Sequence, residues 1–130
     1  MTRSELHDYI EAVYSTSPES PWAKYPTYAV YRHSSNKKWF ALAANVSRDK
    51  LGLSGNECLD IVNLKSDPVM IGSLLTQPGF FPAYHMSKGN WITVALDGSA
   101  PDDTIRFLLD LSYDLTGPKK KRLRKRGDYE

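Results

Sequence analysis

Four side chains within eight positions carry the densest chemistry in the sequence: Tyr84, His85, Lys88 and Trp91. A cation, a titratable ring and two further aromatics so close together could grip a phosphate and stack on a planar group. A structural role competes, in which Tyr84 and His85 pin an irregular link by backbone hydrogen bonds and Trp91 covers the core. A second cluster is purely cationic: Lys119, Lys120, Lys121, Arg122, Arg124, Lys125 and Arg126 put seven positive charges in eight positions. Such a run can bind nucleic acid through its phosphates, or be a solvated terminal segment.

Other chemistries find less support. Cys58 is the sole cysteine, which rules out an intrachain disulfide and fits a reducing compartment. It could be paired with His85 as nucleophile and base, but its strand-like surroundings predict a buried, inert thiol. His7, His33 and His85 are scattered and lack metal-ligand spacing. No glycine-rich phosphate loop is present. Glu5, Asp8 and Glu11 would share the first helix with Arg3 and His7, a mixture typical of a solvated face rather than an iron site. The expectation is a protein that is not an enzyme and needs no cofactor or metal.

The elements that must position these residues are legible from local patterns. Thr2-Arg3-Ser4-Glu5 is a capping box, followed by Leu6, Tyr9, Ile10, Val13 and Tyr14 on a helical period. Residues 27–33 and 38–46 read as two strands joined by the turn Ser34-Ser35-Asn36-Lys37. Residues 47–56 read as a loop and 57–64 as a third strand. Asp67-Pro68 predicts an N-cap with proline at the first helical position, and Val69, Ile71, Leu74 and Leu75 give a short stripe. After Gln77-Pro78-Gly79 and an irregular link, residues 90–96 alternate, Ile92, Val94 and Leu96 against Trp91, Thr93 and Ala95. Ser99-Ala100-Pro101-Asp102 reads as a second capping box, opening a helix with Ile105, Leu108, Leu109, Ser112 and Leu115 on its stripe, widened by Phe107 and Leu111. Gly117-Pro118 stops it.

The predicted order is α-β-β-β-α-β-α: a two-layer α+β fold, a mostly antiparallel sheet with helices on one face. A length of 130 residues fits one domain over 1–117 and a basic tail over 118–130. The tail holds seven cations against two carboxylates, a net +5, which leaves 10 basic and 13 acidic side chains, a net −3, in residues 1–117. A domain that bound nucleic acid over its whole face would usually show the reverse. No stretch approaches the roughly 18 apolar residues of a membrane span, and the polar N-terminal residues lack the apolar region of a secretion signal. The cytoplasm is therefore the expected location, with no membrane partner.

Three segments resemble the MmcQ/YjbR family of small bacterial proteins. Pro82-Ala83-Tyr84-His85-Met86-Ser87-Lys88-Gly89-Asn90-Trp91 is similar to that family's Pro-x-Tyr-His-Met-Asn-Lys-x-His-Trp signature. Lys37-Lys38-Trp39-Phe40-Ala41 resembles its Gly-Lys-x-Phe-Ala strand start, and Asp110-Leu111-Ser112-Tyr113-Asp114-Leu115 its closing Glu-Ser-Tyr-Asp-Leu motif. The likeness spans about residues 1–116 and excludes the tail. It implies a CyaY-like fold and a predicted DNA-binding role with a double-wing arrangement. Ser87 and Asn90 stand where the family has Asn and His, so a site needing two imidazoles around the loop is not implied.

Together these readings lead to a DNA-binding protein that contacts double-stranded DNA through the tail, helped by Arg32, Lys37, Lys38 and Lys88. The alternative is an adaptor that takes a protein or small-ligand partner at the 84–91 loop.

Overall fold

The computed structural model describes residues 1–118; the seven tail cations lie outside the described residues. The element order is α1 (Arg3–Tyr14), β1 (Ala29–Arg32), β2 (Trp39–Ser47), a 3-10 turn (Arg48–Leu51), β3 (Cys58–Lys65), α2 (Pro68–Leu74), β4 (Phe80–Pro82), β5 (Trp91–Ala95) and α3 (Asp102–Thr116). This is the predicted α+β order with two additions, the 3-10 turn inside the segment read as a loop and the three-residue β4 inside the segment expected to be irregular. All strand pairs are antiparallel, in the spatial order β1-β2-β3-β5-β4.

The pleat sorts the sheet into two faces. Ala43, Val62, Val94 and Phe80 are in register across β2, β3, β5 and β4, and all four join the main core with Leu6, Ile10, Ile105, Leu108 and Leu109 from the helices. The next row, Leu42, Asn63, Thr93 and Phe81, points to the opposite face. A smaller cluster there groups Ala44, Val46 and Ile61 under Tyr28, Leu51, Leu59 and Tyr84. Helices thus cover one face, while loops and the 3-10 turn cover part of the other.

Ser112 ties the layers together. Its Oγ donates to the Phe40 carbonyl at 2.6 Å and accepts from the Lys65 amide at 2.9 Å, so one buried hydroxyl of α3 bridges β2 and β3. At the other end of α3 the N-terminal amine of Met1 lies 2.6 Å from the Asp102 carboxylate.

Several local expectations hold. The Thr2–Glu5 capping box is complete, and Asp67 caps α2 by accepting from the Met70 amide with proline following it. Others need correction. Ser99 does not cap α3: the helix starts at Asp102, Pro101 occupies the N-cap without a side-chain bond, and the Ser99 hydroxyl donates instead to Asp97 at 2.5 Å. Cys58 is exposed rather than buried, because it opens β3 at the sheet's end. The predicted apolar stripes are also wider than the buried ones, for Val13, Val69, Leu75 and Phe107 face solvent.

Candidate binding site

The 84–91 loop is held onto the second sheet face by a closed circuit of hydrogen bonds. The Tyr84 amide donates to Thr93 Oγ1 at 2.9 Å, Thr93 Oγ1 donates to Asn63 Oδ1, and Asn63 Nδ2 donates back to the Tyr84 carbonyl at 2.9 Å. Asn63 and Thr93 are 1 % and 0 % exposed, and burial without partners would be costly for either. The loop also closes on itself. Lys88 Nζ donates to the Ala83 carbonyl at 2.9 Å, and the Trp91 amide donates to the Ser87 carbonyl at 3.0 Å.

This anchoring fixes the loop's aromatic pair. The rings of Tyr84 and His85 stack with centroids 3.9 Å apart and planes 15° apart. His85 holds φ at 61°, a left-handed conformation uncommon for a non-glycine residue. Tyr28 reaches the loop from the chain just before β1; burial, followed by a hydrogen bond to Tyr84, pushes its hydroxyl up to about 12.

Two clefts flank Tyr84. One, of about 270 Å³, is lined by Lys24, Tyr25, Tyr28, Asn45, Lys50 and Tyr84 among others. The second, of about 220 Å³, is lined by Lys50, Leu51, Phe81, Tyr84, His85 and Lys88 among others. Tyr84 and Lys50 belong to both. The structure therefore brings Tyr84, His85 and Lys88 together, but Trp91, at the head of β5, lines neither cleft. Lys24, Lys50 and Tyr28 are the residues that sequence reasoning missed. They come from loops and a turn distant in the chain, and no local period marks them.

The remaining predicted cations lie elsewhere. Arg32 is engaged: its Nε sits 3.2 Å from Glu19 Oε1 and its guanidinium stands 5.8 Å from the Trp39 ring centroid. Lys37 and Lys38 are exposed in the β1–β2 turn, Lys37 with φ of 65°. That turn is fastened to the end of α3. His33 Nε2 lies 2.8 Å from Thr116 Oγ1, and Asn36 Nδ2 donates to the Thr116 carbonyl at 2.9 Å. Among the described residues no group of three or more His, Cys, Asp or Glu is placed to hold a metal ion, and no helix is long and apolar enough to cross a membrane.

The profile of the YjbR family matches residues 11–115, which include the loop, the strand start at Trp39 and the Ser112 motif. The chain belongs to the YjbR family. Residues 116–130 lie outside the match. A Bacillus subtilis (strain 168) relative, the uncharacterized protein YyaQ, is 42 % identical over 116 residues, covering 89 % of this chain and 98 % of that one. The uncharacterized protein YjbR of Escherichia coli K12 is 43 % identical over 53 residues, 40 % of this chain and 45 % of that one. Among solved structures, a Pseudomonas syringae protein superposes with a TM-score of 0.88 at 44 % identity, covering 90 % of this chain and all of that one. A Deinococcus radiodurans protein at 23 % identity shares the fold, with a TM-score of 0.68 over 92 % of this chain and 80 % of that one.

Proposed function

We propose that this YjbR-family chain is a non-enzymatic DNA-binding protein whose contact surface is the β1–β2 turn together with the basic tail. The observation that carries the reading is the double attachment of His33 and Asn36 to Thr116. Through it the chain leaves α3 beside the turn that exposes Lys37 and Lys38, and a Cβ on Gly117 would come within 3.4 Å of His33 Cε1. The seven cations of residues 119–126 follow in the chain from this point, and the reading is that one phosphate track engages them together with Lys37 and Lys38. Arg32 is spent on Glu19 and Trp39, and Lys88 belongs to the 84–91 loop, so neither is assigned to this surface. The acidic body favours approach through this one region rather than over a broad face.

Binding of this kind is electrostatic and independent of sequence. The seven tail cations alone correspond to a log–log salt slope of roughly −6. The test is fluorescence anisotropy of a labelled random-sequence duplex at two salt concentrations. It compares the natural chain with full-length variants that carry Gln at the seven tail cations or at Lys37 and Lys38. Loss of most affinity and of the salt slope in the tail variant, with a smaller loss in the turn variant, supports the assignment. No binding by the natural chain at micromolar concentration and low salt sinks it.

A further inference from the structure

We propose that the two clefts beside Tyr84 form one binding site for a small phosphorylated ring compound of the nucleotide type. The clefts share Tyr84 and Lys50, so a ligand that passes over this common wall would occupy both. Either cleft alone is below the volume of ordinary small-ligand sites, about 300–1,000 Å³, whereas the pair falls within it.

The charge of the lining selects an anion. Lys24 and Lys50 edge one cleft, Lys50 and Lys88 the other, and neither is lined by an Asp or Glu. That is the opposite of the body's average, a net of −3 over residues 1–117. Asp49 accepts from Ser47 Oγ at 2.5 Å, while Asp60 accepts from Asn45 Nδ2 at 2.9 Å and lies 3.7 Å from the Arg3 guanidinium. Lysine is a compact point charge that suits phosphate oxygens. Lys88 uses one donor on the Ala83 carbonyl and keeps two of its three for a ligand.

The aromatic lining selects a planar group. His85 is exposed and stacked on Tyr84, and Tyr25 is 47 % exposed with its ring 5.1 Å from that of Tyr28. Ring faces beside cations are the arrangement that holds a base and its phosphate together. The site is also built in advance. The Tyr84–Thr93–Asn63 circuit and the left-handed backbone of His85 hold the loop in one conformation, which lowers the entropy cost of binding.

Calorimetric titration of the full chain with ADP, with adenosine and with pyrophosphate tests this site. ADP is expected to bind saturably and at least about tenfold tighter than either fragment, the mark of a site that uses ring and phosphate together. Lys50→Ala is expected to weaken ADP about tenfold or more, and His85→Ala to weaken ADP while leaving pyrophosphate unchanged. A full-length chain with Gln at the tail cations, and Lys37→Ala with Lys38→Ala, should bind ADP as the natural chain does. The proposal is overturned by no saturable ADP binding up to millimolar concentration, by equal affinity for ADP and pyrophosphate, by an unaffected Lys50→Ala, or by binding that disappears with the tail charges. Since the tail and turn variants separate the two surfaces, failure here leaves the DNA assignment standing, and the converse also holds.

Discussion

Asn63 and Thr93 are direct partners across β3 and β5, and each meets its hydrogen-bonding needs only because the Tyr84 backbone lies over them. A polar pair in the middle of two interior strands thus dictates where the 84–91 loop must sit. An apolar pair would hold the strands as well but would leave the loop unregistered.

Asn63→Ala should therefore act on both stability and order. It strands the Thr93 hydroxyl and the Tyr84 carbonyl in a buried setting, at a cost of about 1–3 kcal/mol. Urea denaturation should show a lower midpoint with an unchanged slope, and the Tyr84 amide should exchange faster than the amides of β2. Stability equal to the natural chain would mean the circuit contributes nothing.

The contrast between what local sequence announces and what it hides follows from the range of the interactions. The Thr2–Glu5 box and the Asp67-Pro68 cap involve neighbours three positions apart, so the residue types suffice to read them. Ser99 carries the same pattern but is captured two residues upstream by Asp97, whose carboxylate takes both the Ser99 amide and its hydroxyl. The competing turn wins because Asp97-Gly98 is already a turn former and Pro101 has no side-chain acceptor to offer. β4 escaped notice because Phe80-Phe81-Pro82 is too short to alternate and pairs with a strand ten or more positions on. Within the site, Tyr84, His85 and Lys88 were visible as a cluster in sequence. Lys24 and Lys50 were not, since only the fold of the chain around β2 carries them to the loop.

Gly79 marks a second place where packing is tight. It adopts φ of 90°, and a Cβ there would lie 2.7 Å from Ser99 Oγ and 2.8 Å from the Ala100 amide nitrogen. Its carbonyl also accepts from the Ala95 amide at 2.9 Å. Gly79→Ala combines backbone strain with a clash against main chain, and should cost about 1–3 kcal/mol or more. Gly52→Ala has a similar φ of 80° but open space around it, so it should be the milder variant in thermal unfolding. A reversed order would contradict the packing argument.

Alkaline conditions should weaken the fold through its tyrosines. Tyr14 is raised far above its usual 10.0, first by burial and then by its hydrogen bond to Asp110, which Tyr9 also contacts at 3.2 Å. Tyr28 is pushed up to about 12 by burial and its bond to Tyr84. Above pH 10 the unfolded chain gives up protons that the folded one keeps, so the unfolded state binds fewer and stability falls as pH rises. The contribution is complete below about pH 10 and declines from there through about pH 12 and beyond. Urea midpoints measured across this range should drop, and Tyr14→Phe should flatten the decline. A flat profile in the natural chain would contradict the burial of these hydroxyls.

The attachment of the β1–β2 turn to the end of α3 can be probed without changing any charge. Thr116 donates its hydroxyl hydrogen to the Ser112 carbonyl at 2.7 Å, so its oxygen is left to accept from His33 Nε2–H at 2.8 Å. Both residues are 4 % exposed. Thr116→Val keeps the shape and removes this hydrogen bond, at a cost of about 0.5–1.5 kcal/mol. If the attachment of the β1–β2 turn to the end of α3 matters for binding, the variant should also bind duplex DNA more weakly, by a change in intercept. Its log–log salt slope should stay the same, because no cation is lost. Unchanged affinity together with reduced stability would show that the tail binds without help from the turn, and would confine the contact surface to residues 119–126.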